Sequence, residues 1–471
     1  MIRIENLLRT PRSWLAPENI IYLKYAIVLA VIIASGYIAP RVAVGNHRYP
    51  TLLFLIYVAV GGGIVFLRRP VLGIFVIILG GFFVPFTGPG GFNTALIGVV
   101  ITVMGWLLDM LNHHKKLVII KSRTIKPIIF LIAVSLVSFG VGMVPWFSFG
   151  QTAPLDAQLG GLSIFVLSAG VFLVTAHLFR DMYLLERLTW LIIFLGGVYV
   201  LGRIFGDWGY FITKWYHNSV PSGSMFWTWL IALIFSQMLI NKRLHLFWRF
   251  VLMGLLVAAL YVAYVINYDW KSGWMPPLVT IVAIITVRYW RIARYIVVIV
   301  ILPVFYYLST QAIATDQYSW STRLDAWLVV LEIAKVSPIF GLGFANYYWY
   351  ATLFPIRGYF IRFNSHSQYI DLVAQTGILG LIGFLWFLGE ETRLSFWLRN
   401  RVPEGFPQAY VYGVIGGVAG TVVAAFLVDW VLPFVYNIGM NGFRASILAW
   451  ILMGGLVCIE QIYCHQGEPG F

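Results

Sequence analysis

Apolar residues run along this chain in blocks of near-spanning length, separated by short polar or basic segments. The blocks fall near 21–39, 50–67, 70–87, 92–111, 126–146, 160–179, 185–203, 222–240, 247–266, 275–289, 292–309, 377–389, 410–436 and 443–463. A run of roughly 20 apolar residues spans a bilayer as a helix, so the pattern predicts an all-α polytopic membrane protein with about 14 transmembrane helices. Residues 1–20 carry Arg3, Arg9 and Arg12 and are too polar for the apolar stretch of a cleavable leader.

One stretch breaks the rhythm. Residues 310–376 hold no spanning run and divide the chain into helices 1–309, a long loop, and helices 377–471. Within the loop, Thr322 and Asp325 have capping-box spacing, and Leu324, Trp327, Leu328 and Leu331 follow at helical intervals up to Pro338. This predicts an amphipathic helix lying at a membrane interface. Ser365 and Gln368 repeat the capping spacing, Tyr369, Ile370, Leu372 and Val373 continue a second helix, and Gly377 suits its C-terminal cap. His366 then falls in a first helical turn, where the positive end of the dipole disfavours imidazolium. A neutral imidazole suits a general base, and free N–H groups at the same helix end attract anions; a solvated polar helix start is the plainer alternative.

Composition agrees with lipid as the solvent: 60% of residues are hydrophobic, 11% are charged, and mean hydropathy is +0.85. The net charge of +14 resides in short loops, not in a basic tract interleaved with aromatics, which argues against nucleic acid as partner. With the N-terminus placed in the cytoplasm and the spans alternated, 22 of the 32 basic residues fall inside. The positive-inside rule thus puts both termini in the cytoplasm and the 310–376 loop outside. Cys458 and Cys464 have no metal-site spacing and read as unpaired thiols; His177 reads as a packed, hydrogen-bonded histidine.

The segments S-T-R-L-D-A-W-L, P-I-F-G-L-G-F and S-H-S-Q-Y-I-D-L-V-A-Q-T-G-I-L-G-L-I-G-F-L together resemble the O-antigen ligase and O-antigen polymerase superfamily over about residues 320–390. The resemblance implies a bacterial inner-membrane glycosyltransferase that needs neither metal nor cofactor. It would move a glycan from an undecaprenyl-diphosphate carrier to a glycan, lipid or protein acceptor on the outer face of that membrane. It assigns His366 to the acceptor hydroxyl and Arg323 to the diphosphate. A further family element, S-R-G at the outer start of an earlier span, has Lys271-Ser272-Gly273 as its nearest match, with Lys in place of Arg. Ser367 likewise stands where the family usually has Asn.

Loss of a lipid diphosphate builds negative charge, and fixed cations aimed at that charge are the strongest lever on its rate. Besides Arg323 and Lys271, the candidates are Arg203, Arg357 and Arg362; outward cations also serve as headgroup anchors. Asp429 lies in the run 410–436, where it is either a functional intramembrane acid or a boundary residue. The aromatic run Tyr347–Tyr350 offers either sugar-stacking faces or an interfacial belt. A secondary transporter of an anion or lipid-linked sugar is the alternative function; it predicts ionisable groups on broken helices at the bilayer midplane.

Overall fold

The computed structural model describes residues 70–114, 119–267, 269–291, 295 and 317–464. The expected spans 21–39 and 50–67, and all of 292–309 but residue 295, lie outside the described residues. The chain divides into two units, residues 1–73 with 101–119 and residues 74–100 with 120–471. Of the first, the described part is chiefly the second half of one helix; that helix apart, everything below concerns the second.

The described residues are helical and contain no strand beyond the isolated bridges Thr87–Asn93 and Ile356–Tyr359. The helices before the long loop are α1 (Leu72–Phe83), α2 (Thr94–His114), α3 (Ile125–Val141), α4 (Leu155–Leu178), α5 (Met182–Ile204), α6 (Gly206–Thr213), α7 (Ser224–Ile240), α8 (Leu246–Tyr261) and α9 (Lys271–Arg288). The loop region carries α10 (Gln317–Ala334) and α11 (Asn346–Tyr350), and α12 (Gln368–Leu398), α13 (Phe406–Leu427) and α14 (Phe443–Cys464) follow. Seven of these helical segments are long and apolar enough to cross a membrane, and four more are apolar but shorter. The described architecture is therefore all-helical, with helices apolar enough to suit a membrane, and eleven of the expected runs fall on described helices.

Burial is greatest in α14, whose apolar window is wholly enclosed by the protein. Glycines let α13 approach its neighbours closely: a Cβ on Gly417 would stand 2.5 Å from the Trp229 ring, and one on Gly420 would stand 2.3 Å from Thr280 Oγ1. Small residues at helix contacts are the usual route to tight packing in lipid, where apolar side chains gain little by leaving the solvent. Arg444, fully buried on α14, spreads its guanidinium over the end of α1. It donates to the carbonyls of Gly81 (3.0 Å), Val84 (2.9 Å) and Phe86 (2.9 Å) and so satisfies the acceptors that a helix end leaves open.

Two expected boundaries are corrected. The run 410–436 is not one helix: α13 stops at Leu427, and residues 428–439 form an irregular loop, buried over 428–434 and half-buried beyond. Pro433, inside that run, cannot donate to a helical ladder. The loop helix also starts earlier than expected. Thr322 is interior to α10 and donates to Tyr318 O (2.7 Å), so it caps nothing.

The break at Gly377 was expected and is present. α12 is two helical stretches joined where Gly377 adopts φ 69°, ψ −171°. The turn after α10 closes against this break. Leu342 N donates to Ala374 O (2.8 Å) and Gly343 N to Gln375 O (3.0 Å), while Ile378 N donates to Pro338 O (2.9 Å). Gly341 (φ 72°) lies so close that a Cβ there would meet the Gln375 carbonyl carbon at 2.5 Å, and one on Gly377 would meet Ile339 O at 2.1 Å. Gly377→Ala and Gly341→Ala are each expected to cost at least about 1–3 kcal/mol, the range for a forced backbone outlier. Gly389→Ala, in open space on the same helix as Gly377, is expected to be neutral or to stabilise by about 0.5–1 kcal/mol. Thermal unfolding of the three variants in detergent compares them.

Candidate functional site

Three chain segments meet around His366: the first turns of α10, the turn that leads into α12, and the 428–439 loop. Arg323 comes from α10. Its Nη1 donates to Leu427 O (3.0 Å), the last carbonyl of α13, and its guanidinium lies 5.7 Å from the Trp320 ring centre. Trp327, one turn further on, donates through Nε1 to Ser365 O (2.7 Å) and packs edge-on against Phe426. One face of α10 is thereby fastened both to the end of α13 and to the turn that carries His366.

That turn departs from expectation. Ser365 and Gln368 form no capping box. The helix cap position is Ser367, and His366 precedes it with φ 50°, outside the helix. A left-handed conformation is uncommon for a residue with a side chain and persists where its surroundings over-determine it. Here they do. Ser365 Oγ donates to Asp371 Oδ1 (2.8 Å), Tyr347 OH donates to the same oxygen (2.5 Å), and Ser367 N donates back to Ser365 Oγ (3.1 Å). Gln368 clamps the third segment: its Nε2 donates to Leu432 O (3.1 Å), and Leu432 N donates to its Oε1 (2.7 Å).

The 428–439 loop brings an acid and an amide. Asp429 is fully buried, and its Oδ2 accepts from Phe434 N (2.9 Å). The Asn437 amide nitrogen donates to Asp429 Oδ1 and stands 3.3 Å from His366 Nδ1. Burial pushes the Asp429 carboxyl upward, opposed by the donors Asn437 and Phe434 N and by nearby Arg323. His366 is driven the other way, to about 4, by burial first and by the Arg323 charge second. Burial and the Arg323 charge both favour the neutral ring, and His366 stands ahead of the helix cap and not in its first turn.

Three of the other predicted cations, Arg357, Arg362 and Arg203, have partners elsewhere. Arg357 pairs with Asp325 (Nε to Oδ2, 2.7 Å), donates to Ser321 Oγ (2.6 Å) and lies over Tyr318. Asp325 is accordingly an ion-pair partner and not a cap. Arg362 stacks on Trp349, 3.6 Å from the ring centre. Arg203, at the end of α5, donates to Asn267 Oδ1 (3.4 Å). Lys271 opens α9, but its side chain lies outside the described residues. The aromatic run is largely internal. Tyr347 and Tyr350 are core residues, Tyr347 stacks on Phe434, and Tyr348 stacks on Tyr436, to whose hydroxyl Trp349 donates.

His177 is saturated as expected, with Nδ1 on Leu173 O (2.7 Å) and Nε2 accepting from Ile120 N (3.1 Å). Cys458 and Cys464 are free. Among the described residues no three His, Cys, Asp or Glu side chains are grouped to hold a metal. No protein-family model matches the chain, and no curated protein matches it.

Asp429 drew notice in the sequence only as an acid within an apolar run, and Asn437 and Gln368 drew none as site residues. The available signal was Pro433 between Asp429 and Asn437, which marks a loop where hydropathy alone reads helix.

Gln368→Ala is expected to leave the Leu432 N–H and C=O buried without partners, at about 1–3 kcal/mol for each such group. Faster amide hydrogen exchange over residues 429–437 is the measurement. The depressed His366 value also ties stability to pH. An unfolded histidine titrates near 6.5, so the stabilisation is whole above that value and is lost as pH falls toward about 4. His366→Gln is expected to flatten the fall in melting temperature between pH 7.5 and pH 5.

Proposed function

We propose that this chain is a membrane glycosyltransferase of the O-antigen ligase or polymerase kind. It crosses a bacterial inner membrane about 14 times, with both termini in the cytoplasm and residues 310–376 on the outer face. Its donor is a glycan on undecaprenyl diphosphate, and its acceptor is a hydroxyl of a glycan, lipid or protein. The observation that carries this reading is the meeting of Arg323 with an uncharged His366 at a junction of helix ends, built from three separate segments.

In the reaction the acceptor oxygen forms a bond to the anomeric carbon while the bond from that carbon to the diphosphate oxygen breaks. The electron pair leaves with the lipid diphosphate. Arg323 opposes the charge that grows there, and its position is fixed before substrate arrives by Leu427 O. His366 holds the acceptor hydroxyl by a hydrogen bond. The hydroxyl proton passes to the departing diphosphate, or to His366 Nε2 when that nitrogen has a free lone pair. Arg357 and Arg362 act structurally, the first neutralised by Asp325 and the second stacked on Trp349.

A transporter predicts its ionisable cluster on broken helices at midspan. Here the cluster gathers at the end of α13 and ahead of α12, which favours chemistry on a lipid-borne substrate.

The test is purified protein in sealed proteoliposomes with a lipid-diphosphate glycan and candidate acceptors. A product ladder means a polymerase, a single transfer means a ligase, and solute flux without transfer means the transporter reading is right. Arg323→Ala is expected to lose about 3–4 kcal/mol of transition-state stabilisation, and His366→Ala about 10²–10⁴-fold in rate. Arg362→Ala is expected to keep most of its activity. Wild-type turnover by His366→Ala would remove His366 from the mechanism.

A further inference from the structure

The hydrogen bonds around His366 have a direction. An ionised carboxylate only accepts, so Asp429 takes the NH₂ group of Asn437. The same NH₂ group is the one that stands 3.3 Å from His366 Nδ1. Nδ1 must then accept. In a neutral ring one nitrogen carries the proton and the other does not, so the proton sits on Nε2. That nitrogen has no partner among the described residues. In this state the ring offers a donor to whatever approaches Nε2, and no lone pair.

Protonation of Asp429 reverses the chain. Its O–H donates to an oxygen, so the Asn437 amide turns and presents Oδ1 to both neighbours. Oδ1 accepts from Asp429 and from an Nδ1–H of His366. The imidazole proton moves from Nε2 to Nδ1 by exchange with water, and Nε2 gains a free lone pair. We infer that Asp429, acting through Asn437, sets which ring nitrogen of His366 carries the proton. It thereby decides whether the histidine acts as a donor or as a base.

Asp429 and Asn437 are positioning residues. Asn437 is the link because a side-chain amide is the one neutral group in the proteins' repertoire that offers a two-hydrogen face and an oxygen face on a single rotor. Asp429 is buried, and its charged neighbours are Arg323 from α10 and Asp371 from α12, with the Tyr347 hydroxyl close by. Arg323 also faces His366 and disfavours a doubly protonated ring, so the ring exchanges tautomers where an exposed histidine would gain charge. Burial raises the Asp429 carboxyl, which brings the exchange toward mildly acidic pH.

The inference rests on the proposed reading of His366 only for its consequence in catalysis; the tautomer itself is observable without turnover. The experiment uses the full-length protein in micelles with ¹⁵N-labelled imidazoles, and identifies the His366 signals by difference from His366→Gln. At pH 8 the wild type is expected to show protonated Nε2 and a hydrogen-bonded, unprotonated Nδ1. At pH 5 the protonated position is expected to move to Nδ1. Asn437→Asp places a carboxylate against Nδ1 and is expected to lock the proton there at both pH values. Asp429→Asn is expected to shift the pH 8 population toward Nδ1–H. Protonated Nδ1 in the wild type at pH 8 overturns the inference, as does a wild-type spectrum unchanged at pH 5. The wild-type arms decide the matter even where a variant fails to fold. A tautomer exchange in a protein that transfers no glycan would leave this inference standing and sink the glycosyltransferase reading. Transfer with a pH-invariant tautomer would do the reverse.

Discussion

The site depends on backbone hydrogen bonds made across the break in α12. In an apolar surrounding a helix cannot lose main-chain partners without replacement. At Gly377 the helical path is interrupted, and the carbonyls of Ala374 and Gln375 and the N–H of Ile378 are matched by the 338–343 turn. This pairing holds the stretch 368–376 against the end of α10. Without it neither the Ser365 turn nor the 428–439 loop has a fixed surface to close on, and Arg323 has no defined distance to His366. Gly341 and Gly377 are required because main chain meets main chain there, with no room for a side chain.

Charge is handled differently inside the cluster and around it. Arg357 meets a carboxylate and Arg362 an aromatic face, so each has a partner of matched character within the protein. Arg323 also lies by an aromatic ring, Trp320, and is set among a helix-end carbonyl, a half-buried imidazole and the buried Asp429. A cation beside an imidazole makes protonation of that ring costly, and burial adds to the cost. Raised acid and lowered base in one pocket is the pattern that separates proton-handling roles between neighbouring groups. It follows from burial, which disfavours the charged form of each group, and from the Arg323 charge beside the ring.

Much of this was legible in the chain. Apolar runs located the helices, and Gly377, read as a C-terminal cap at the start of the short run 377–389, gave the break. Arg323 and His366 stood out by residue type and order. What the sequence hid was everything that depends on where a helix stops for tertiary reasons. The run 410–436 is apolar enough to span, so Asp429 read as a residue on a helix when it sits on a loop. Ser365 and Gln368 have capping spacing, yet both side chains serve longer-range bonds, to Asp371 and to Leu432, and the cap falls to Ser367. Local side-chain patterns report what a backbone would do alone, and a buried amide 64 residues away is a stronger partner than solvent. The cations were ambiguous for the same reason: the acid that claims Arg357 lies 32 residues away.

The strained conformation of His366 fits this arrangement. A residue with φ 50° is tolerated because the bonds of Ser365 hold it on one side and those of Gln368 hold it on the other. Its ring is then tethered through Nδ1 to Asn437. Three constraints leave the imidazole little freedom to rotate, so Nε2 is presented in one orientation whatever the protonation of the network behind it. A change at Asp429 therefore alters what Nε2 offers without moving it. Prepositioned groups of this kind lower a barrier without reorganisation at the moment of reaction.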